Sequence, residues 1–296
     1  RGDLVPFFGR RQKVSVASAY RQQLLTDARL ELIPLKNLAP QLQYLPEGVS
    51  VSVTASPAKA LEDTWNLSQD LADRGMKPVP HLAARMVTSK QQLSTLVSRL
   101  KDMGVSELFL VGGDAPEPFG PFCDSMEVLA AILEMEHGLE HIGVTAYPDG
   151  HSFISRGVLS ESLHKKQELL ASAGVSGHAA TQMCFDAGAI EKWLRAEREA
   201  GFSLPIHLGI PGAVDRAKLL SIGARLGVGA SLRFLQKNRS TIARLVAPGG
   251  YNPNKILGSL APELEALGVR GLHIFTFNQV ENTEEWRTAA IERLNT

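Results

Sequence analysis

Short apolar segments alternate along the chain with longer stretches in which apolar residues recur at helical spacing. Runs of about four to eight mainly aliphatic residues are typical of strands, and the longer periodic stretches are typical of amphipathic helices. Eight apolar segments predict strands at residues 29–34, 49–54, 78–82, 107–112, 141–146, 178–184, 205–210 and 271–277. The intervening stretches predict helices at residues 58–74, 89–103, 125–136, 160–173, 187–200 and 214–226.

Each predicted helix ends close to a glycine, as expected where a helix stops in a left-handed C-cap. These glycines are Gly75, Gly104, Gly138, Gly174, Gly201 and Gly227. Repetition of helix, glycine and strand indicates (β/α) units. No Gly-x-Gly-x-x-Gly turn follows the first predicted strand, so an open doubly wound sheet is less favoured than a closed barrel. The predicted fold class is α/β, a single (β/α)8 TIM barrel.

Three intervals depart from a regular barrel. Residues 34–49 are too few for a full crossover helix, so the first unit is expected to be abbreviated. The interval between strands seven and eight can hold two extra helices, at residues 231–245 and 252–266. Residues 1–27 contain a basic run and are expected to form an arm, either solvated or lying as a helix on the barrel. The expected organisation is thus an arm at 1–27 and a barrel at 28–296.

Composition restricts the class of partner. Lys plus Arg number 31 and Asp plus Glu also number 31, so the chain lacks the basic field of non-specific nucleic-acid or membrane-surface binders. Its 44% hydrophobic content supports a large core. The two cysteines, Cys123 and Cys184, are far apart, which excludes a disulfide framework. With no apolar run long enough for a membrane helix, we expect a cytoplasmic protein with a small-molecule ligand.

Reactive side chains in such barrels lie at the carboxyl ends of the strands. Glu31 interrupts the first apolar run, and an inward carboxyl group there would be desolvated, with a raised pKa that suits a general acid. An outward glutamate paired with a helix Lys or Arg is the alternative. Asp114 follows Gly112 and Gly113, where it either faces the barrel mouth or simply forms a turn. Other polar residues at strand ends are Thr54, His81, Tyr147, His151, Gln182, Asn278 and Gln279.

Several familiar chemistries lack their motifs. Metal-dependent barrel hydrolases usually carry an His-x-His pair on one strand, and this sequence has none, so no metal site is expected. Neither a Gly-x-Ser-x-Gly elbow nor a phosphate-binding P-loop is present. Acyl-transfer hydrolysis and nucleotide-triphosphate chemistry are therefore disfavoured.

Seven segments, in order along the chain, resemble motifs of the methylenetetrahydrofolate reductase family. Leu30-Glu31-Leu32-Ile33-Pro34-Leu35-Lys36 resembles the family's Phe-Glu-Phe-Phe-Pro-Pro-Lys/Arg, and Ala146-Tyr147-Pro148-Asp149-Gly150-His151 resembles its Tyr-Pro-x-x-His. The others are Val51-Ser52-Val53-Thr54, Pro80-His81-Leu82, Gly112-Gly113-Asp114-Ala115-Pro116, Thr181-Gln182 and Phe275-Thr276-Phe277-Asn278-Gln279. The resemblance implies reduction of 5,10-methylenetetrahydrofolate to 5-methyltetrahydrofolate, with electrons from NADH or NADPH.

The resemblance also implies roles for individual residues. Glu31 would be the general acid that opens the imidazolidine ring of the folate, and Asp114 would hydrogen-bond the pterin and tune the reducing cofactor. Gln182 and Gln279 would contact the folate or the nicotinamide donor. The cofactor pocket would be lined by Thr54, His81, Gly113, Asp114, Ala146, Tyr147, His151 and Lys165.

The departures from the family pattern concern FAD. Gly112 stands where the family has arginine, and Leu163 and Leu170 stand at its acidic and lysine positions, with Lys165 or Lys166 as nearby substitutes. Two versions follow: an altered FAD site, or direct hydride transfer from NAD(P)H without flavin. A folate-binding barrel that senses or carries folate, or assists methyl transfer, is the alternative function.

Overall fold

The computed structural model describes residues 8–56, 59–151, 153–183, 187–215, 253–259 and 262–294. Eight parallel strands close into one barrel in the order β1 to β8, with β8 hydrogen-bonded to β1. This confirms the predicted (β/α)8 fold. The strands are β1 (Arg29–Leu32), β2 (Ser50–Val53), β3 (Lys77–Ala83), β4 (Glu107–Val111), β5 (His141–Ala146), β6 (Ser176–Thr181), β7 (Ile206–Pro211) and β8 (Val269–Phe275).

Helices cover the outside of the barrel. They are α1 (Phe8–Thr26), α2 (Leu61–Asp73), α3 (Lys90–Asp102), α4 (Ser125–Leu133), α5 (Arg156–Ala173), α6 (Ala187–Glu199), α7 (Pro253–Ser259), α8 (Pro262–Ala266) and α9 (Val280–Leu294). A short 3-10 helix, Ala39–Tyr44, stands where the first crossover helix would lie, as the length of that interval predicts. The helices predicted at 214–226 and 231–245, and Gly227, lie outside the described residues.

Some predicted boundaries are wrong, and local chemistry explains why. The hydroxyl group of Ser155 accepts a hydrogen bond from the backbone of Val158, so α5 begins at 156 rather than 160. Strand β8 ends at 275 rather than 277 because Phe277 and Asn278 both have a positive φ, of 50° and 57°. The predicted helix at 252–266 is two short helices, α7 and α8.

The glycines that end the predicted helices have the left-handed backbone expected of them wherever the structure describes them. Positive φ is found at Gly75, Gly104, Gly138, Gly174 and Gly201. At Gly174, for example, φ is 68° and the amide bonds to a carbonyl of the last turn of α5.

Helix α1 packs on the barrel through its C-terminal half. Tyr20, Leu24 and Leu25 are buried in the same apolar cluster as β1 and β8. The Tyr20 hydroxyl group donates to the backbone oxygen of Val269, at the start of β8. This part of the basic segment is therefore a helix covering the amino-terminal end of these strands.

The barrel interior is rich in rings and polar groups. Phe109 of β4 lies between His81 (4.7 Å between ring centroids), His273 (6.0 Å) and His178 (5.9 Å). Gly143 of β5 leaves room for them, since a Cβ atom there would fall 2.4 Å from the Phe109 ring and 2.5 Å from that of His178. The Phe109 ring separates two polar clusters, one toward each end of the barrel.

Candidate functional site

The upper cluster consists of Glu31, His81 and His273. Oε2 of Glu31 lies 2.8 Å from Nε2 of His273, and the Glu31 side chain is only 12% exposed. The glutamate therefore points into the barrel, and the outward alternative from the sequence is wrong. His273 was missed at the sequence level because it lies mid-strand in a run that reads as buried core.

Burial sets the ionisation of this cluster. It raises the pKa of Glu31 to about 7, an effect that the neighbouring His81 partly opposes. Burial lowers the pKa of His81 to about 3 and that of His273 to about 3, with the positive charge of Arg29 acting in the same direction on both. Near neutral pH the imidazoles are therefore neutral, and the carboxyl group is poised to hold or release a proton.

Backbone contacts at the carboxyl ends of β1 and β8 fix the position of Glu31. The Thr276 hydroxyl group donates to the backbone oxygen of Glu31 at 2.6 Å. The Asn278 side chain bonds to both backbone groups of Ile33, at 2.8 and 2.9 Å. Asn278 was noted in the sequence only as a polar residue at a strand end, and the structure shows its role as a clamp.

The upper cluster also has the composition of a cation site. One ligand atom from each of Glu31, His81 and His273 lies within 4.8 Å of the others, and Nε2 of His81 is buried without a hydrogen-bond partner among the described residues. Two neutral imidazoles and a carboxylate suit a divalent transition metal. The His-x-His criterion misses such a set because its members come from three strands.

The lower cluster lies toward the amino-terminal end of the barrel. Arg29 pairs with Glu107 at 2.6 Å, and Nε2 of His141 lies 2.7 Å from Nδ1 of His178. The rings of His178 and His207 stack, with centroids 4.1 Å apart. Glu107, His141 and His178 also lie within 4.8 Å of one another, but the Arg29 guanidinium already neutralises that carboxylate. Conservation of shape at this end of a barrel is a structural matter rather than a catalytic one.

Asp114 lies exposed on the loop after β4. Arg85 holds this loop: its guanidinium donates to the backbone oxygens of Ala115 (2.7 Å), Pro116 (2.6 Å) and Cys123 (3.2 Å). Gly113 has a φ of 90°, and a Cβ atom there would lie 3.0 Å from that of Ala83. The loop thus rests closely on the end of β3.

Tyr147 and His151, on the loop after β5, form part of an aromatic row. The Tyr147 and His151 rings pack edge to face at 5.2 Å, and Phe153 follows at 5.9 Å from His151. Tyr147 is buried, which raises its pKa, and the charge of Asp114 adds to that shift. Phe153 is 78% exposed, so the row runs from the buried edge of the barrel to solvent.

Thr54 and Ala146 line the same end of the barrel. Ala146 is buried at the end of β5. The Thr54 hydroxyl oxygen is buried and has no hydrogen-bond partner within the described part of the chain. The structure thus places Thr54, His81, Ala146 and Tyr147 at or just inside the mouth.

Helix α5 presents a different set of groups from those the resemblance implies. Leu163 and Leu170 are buried in the apolar core, at 4% and 0% exposure. Nζ of Lys165 pairs with Glu161 at 2.6 Å on the half-exposed face of the helix. Lys166 is buried, which lowers the pKa of its ammonium group.

The two glutamines have different surroundings. Gln182 is exposed just after β6, with its Oε1 accepting from the amide of Met183 at 2.8 Å. Gln279 is buried, and its Oε1 accepts from the amide of Asp215 at 2.7 Å. Gln182 is therefore at the mouth, whereas Gln279 ties the end of β8 to the segment after β7.

Within the described residues, none of the helices combines the length and apolarity needed to cross a membrane.

Comparison with known proteins adds a family to this geometry. The sequence profile of the family described as methylenetetrahydrofolate reductase matches residues 34–227. An uncharacterised protein from Clostridium thermocellum that binds two copies of 5-methyl-5,6,7,8-tetrahydrofolic acid has a similar structure. It is 12% identical, with a TM-score of 0.57 over 92% of this chain and 99% of that one. A Burkholderia cenocepacia protein provisionally described as a lyase/mutase has 12% identity and a TM-score of 0.47, over 95% and 86% of the two chains. These likenesses concern the fold.

Proposed function

Because the chain belongs to the methylenetetrahydrofolate reductase family, we propose that it reduces 5,10-methylenetetrahydrofolate to 5-methyltetrahydrofolate with NAD(P)H as electron source. The observation that carries this proposal is the buried Glu31 carboxyl group, whose pKa of about 7 gives it a proton to donate at neutral pH. The Clostridium thermocellum protein of similar fold binds the product of this reaction.

The reaction requires one proton and one hydride. Glu31 donates its proton to N10 of the folate, the bond from N10 to the bridging methylene carbon breaks, and a 5-iminium cation forms. A hydride from the nicotinamide then adds to that carbon, giving the 5-methyl group and NAD(P)+. Glu31 regains its proton from water. The protein contributes the acid and the alignment of donor and acceptor.

The other candidate residues are assigned to binding. Asp114 and Gln182 are placed to bond the pterin or the nicotinamide at the barrel mouth, and the aromatic row that includes Tyr147 offers ring faces to either. Within this proposal the pocket is formed by Thr54, His81, Gly113, Asp114, Ala146, Tyr147 and His151, with Lys165, Gln182 and Gln279 as further contacts.

The residues of α5 do not fit FAD in the manner of the family pattern. Leu163 and Leu170 are buried in the core and offer no polar group to a ribose or pyrophosphate, and Gly112 has no side chain. The ammonium group of Lys165 is engaged by Glu161. These observations favour direct transfer of hydride from NAD(P)H to the iminium carbon.

Two measurements test the proposal. The purified protein should oxidise NADH or NADPH only when methylenetetrahydrofolate is present, and 5-methyltetrahydrofolate should accumulate in equal amount. Its visible spectrum should lack flavin absorption near about 450 nm. A yellow protein whose activity is lost with the chromophore would refute direct transfer, while oxidation without folate, or none at all, would refute reduction.

A folate-binding barrel without reductase activity is the second candidate. It is favoured by the same apolar positions on α5, because they remove cofactor contacts while leaving the folate side of the mouth intact. Tight binding of 5-methyltetrahydrofolate by calorimetry, with no nicotinamide oxidation under any condition, would support it. A binder has no use for the Glu31 proton, so Glu31→Gln would then leave affinity unchanged.

A further inference from the structure

The Glu31 carboxyl group is held from inside the barrel by His273. Oε2 of Glu31 and Nε2 of His273 are 2.8 Å apart. The imidazole is 2% exposed, compared with 12% for the glutamate side chain. A proton exchanged with a ligand therefore passes through the carboxyl group, and the imidazole acts from behind it.

The second nitrogen of His273 indicates which of the two groups donates. Nδ1 is buried and has no hydrogen-bond partner among the described residues. A buried N–H group without an acceptor is rarer and more costly than an unpaired acceptor nitrogen. The tautomer with hydrogen on Nε2 is thus favoured, and Nε2–H donates to Oε2 of Glu31.

The surroundings keep His273 neutral while Glu31 titrates. Burial and the charge of Arg29 hold the pKa of His273 at about 3, far below the value of about 7 for Glu31. The pair therefore does not become a buried ion pair at neutral pH. The titratable and charged groups that act on the pair from the neighbouring strands are His81 of β3, His178 of β6, His207 of β7 and Arg29 of β1.

We propose that His273 is a positioning residue for the proton donor: its Nε2–H bond to Oε2 leaves the carboxyl proton on Oε1 and stabilises the carboxylate formed when that proton is delivered. The catalytic consequence rests on the proposed reductase function. The hydrogen bond itself, and its effect on the ionisation of Glu31, do not depend on which reaction takes the proton.

Three substitutions of His273 separate this role from simple packing. His273→Gln keeps an N–H group at nearly the reach of Nε2, whereas His273→Met fills similar space without a donor. His273→Asn carries a donor too short to reach Glu31 and serves if the methionine variant does not fold. Circular dichroism and thermal melting establish that each variant is folded before its chemistry is measured.

The ionisation of Glu31 is followed by the infrared carbonyl band of its protonated carboxyl group, identified by its disappearance in Glu31→Gln. Without the donor, the carboxylate is less stable, so in His273→Met and His273→Asn the midpoint should rise by about one pH unit. Turnover should fall by at least about tenfold, and the pH above which it declines should move upward with the midpoint. His273→Gln should restore both toward the wild-type values.

A midpoint in His273→Met and His273→Asn equal to that of the wild type would overturn the proposal. So would an equal shift in His273→Gln, because packing rather than the donor would then be responsible. If the wild-type protein shows no folate-dependent nicotinamide oxidation, the reductase proposal fails instead, and the infrared titration still decides whether His273 controls Glu31.

Discussion

The side chain of Asn278 forms two hydrogen bonds with the backbone of Ile33. Nδ2 donates to the Ile33 oxygen at 2.8 Å, and Oδ1 accepts from the Ile33 amide at 2.9 Å. The amide of asparagine thereby does what a neighbouring strand would do, just beyond the last paired residues of β1 and β8. Both residues are buried, so water does not replace these bonds if they are lost.

Loss of this clamp should destabilise the protein. Asn278→Gly removes both hydrogen bonds while tolerating the positive φ of 57°. We expect the free energy of unfolding to fall by about 2–4 kcal/mol, because two buried backbone groups lose their partners. Urea denaturation measures it. Asn278→Ala should cost about 1 kcal/mol more through backbone strain, and a glycine variant as stable as the wild type would show that the clamp is unimportant.

Replacement of Glu31 should separate catalysis from binding. Glu31→Gln keeps the shape of the side chain without a donatable proton, so turnover should fall by about 10²–10⁴-fold with folate affinity retained. In the wild type, turnover should decline as the pH rises through about 7, where the carboxyl group loses its proton. Steady-state rates from pH 5.5 to 9 provide both tests. A fully active glutamine variant would remove Glu31 from the mechanism.

The same carboxyl group should make stability depend on pH. Its pKa is raised from 4.5 to about 7 on folding, so between these values the folded protein holds a proton that the unfolded chain has released. This contribution is present at low pH and is lost as the pH rises through about 7. Relative to Glu31→Gln, the wild type should lose about 2 kcal/mol between pH 5.5 and 8, measured by urea denaturation. A constant difference between the two proteins would contradict the raised pKa.

Acid should act through the buried imidazoles in the opposite direction. The pKa values of His81, His207 and His273 are lowered from 6.5 to about 3 on folding. Stability is therefore complete above 6.5 and is lost as the pH falls below it, because the unfolded chain binds protons that the fold excludes. His207→Gln should reduce this loss by about 1.4 kcal/mol per pH unit between pH 6 and 4. His137→Gln, outside the barrel after α4, is the matched control and should leave the slope unchanged.

The ion pair of the lower cluster should show strong coupling. Arg29 is 7% exposed, so Glu107→Gln leaves its guanidinium buried with less compensation. We expect a cost of about 3 kcal/mol for this single change. Adding Arg29→Met should cost less than the sum of the two single changes, because the second substitution removes the unpaired charge. Additive free energies from the four proteins of this cycle would mean that the pair contributes nothing beyond packing.

The barrel was predictable from the sequence because its signals are local. Apolar runs, helical spacing and a glycine after each helix each reside within about twenty residues of chain. The absence of a full helix after β1 followed from length alone. The end of β8 was misplaced because Phe277 and Asn278 adopt a left-handed backbone that an apolar pattern does not encode.

The candidate site was only partly predictable because it depends on barrel closure. Glu31 and Asp114 are visible as polar interruptions at strand ends, but the direction of Glu31 was undetermined until β8 closed against β1. His273 is 242 positions away along the chain and gives no local sign of its contact. The lower cluster was missed for the same reason, since its members begin strands whose separation in sequence hides their proximity.

Arg85 has a consequence for how reactants come and go. Its backbone amide donates to Gly112, its backbone oxygen accepts from Phe119, and its guanidinium binds three further carbonyl oxygens of the same loop. A loop anchored at five points acts as a fixed wall rather than a moving cover. The traffic of substrate and product is therefore left to the rim beyond β5, and the speed of release depends on segments other than the one that carries Asp114.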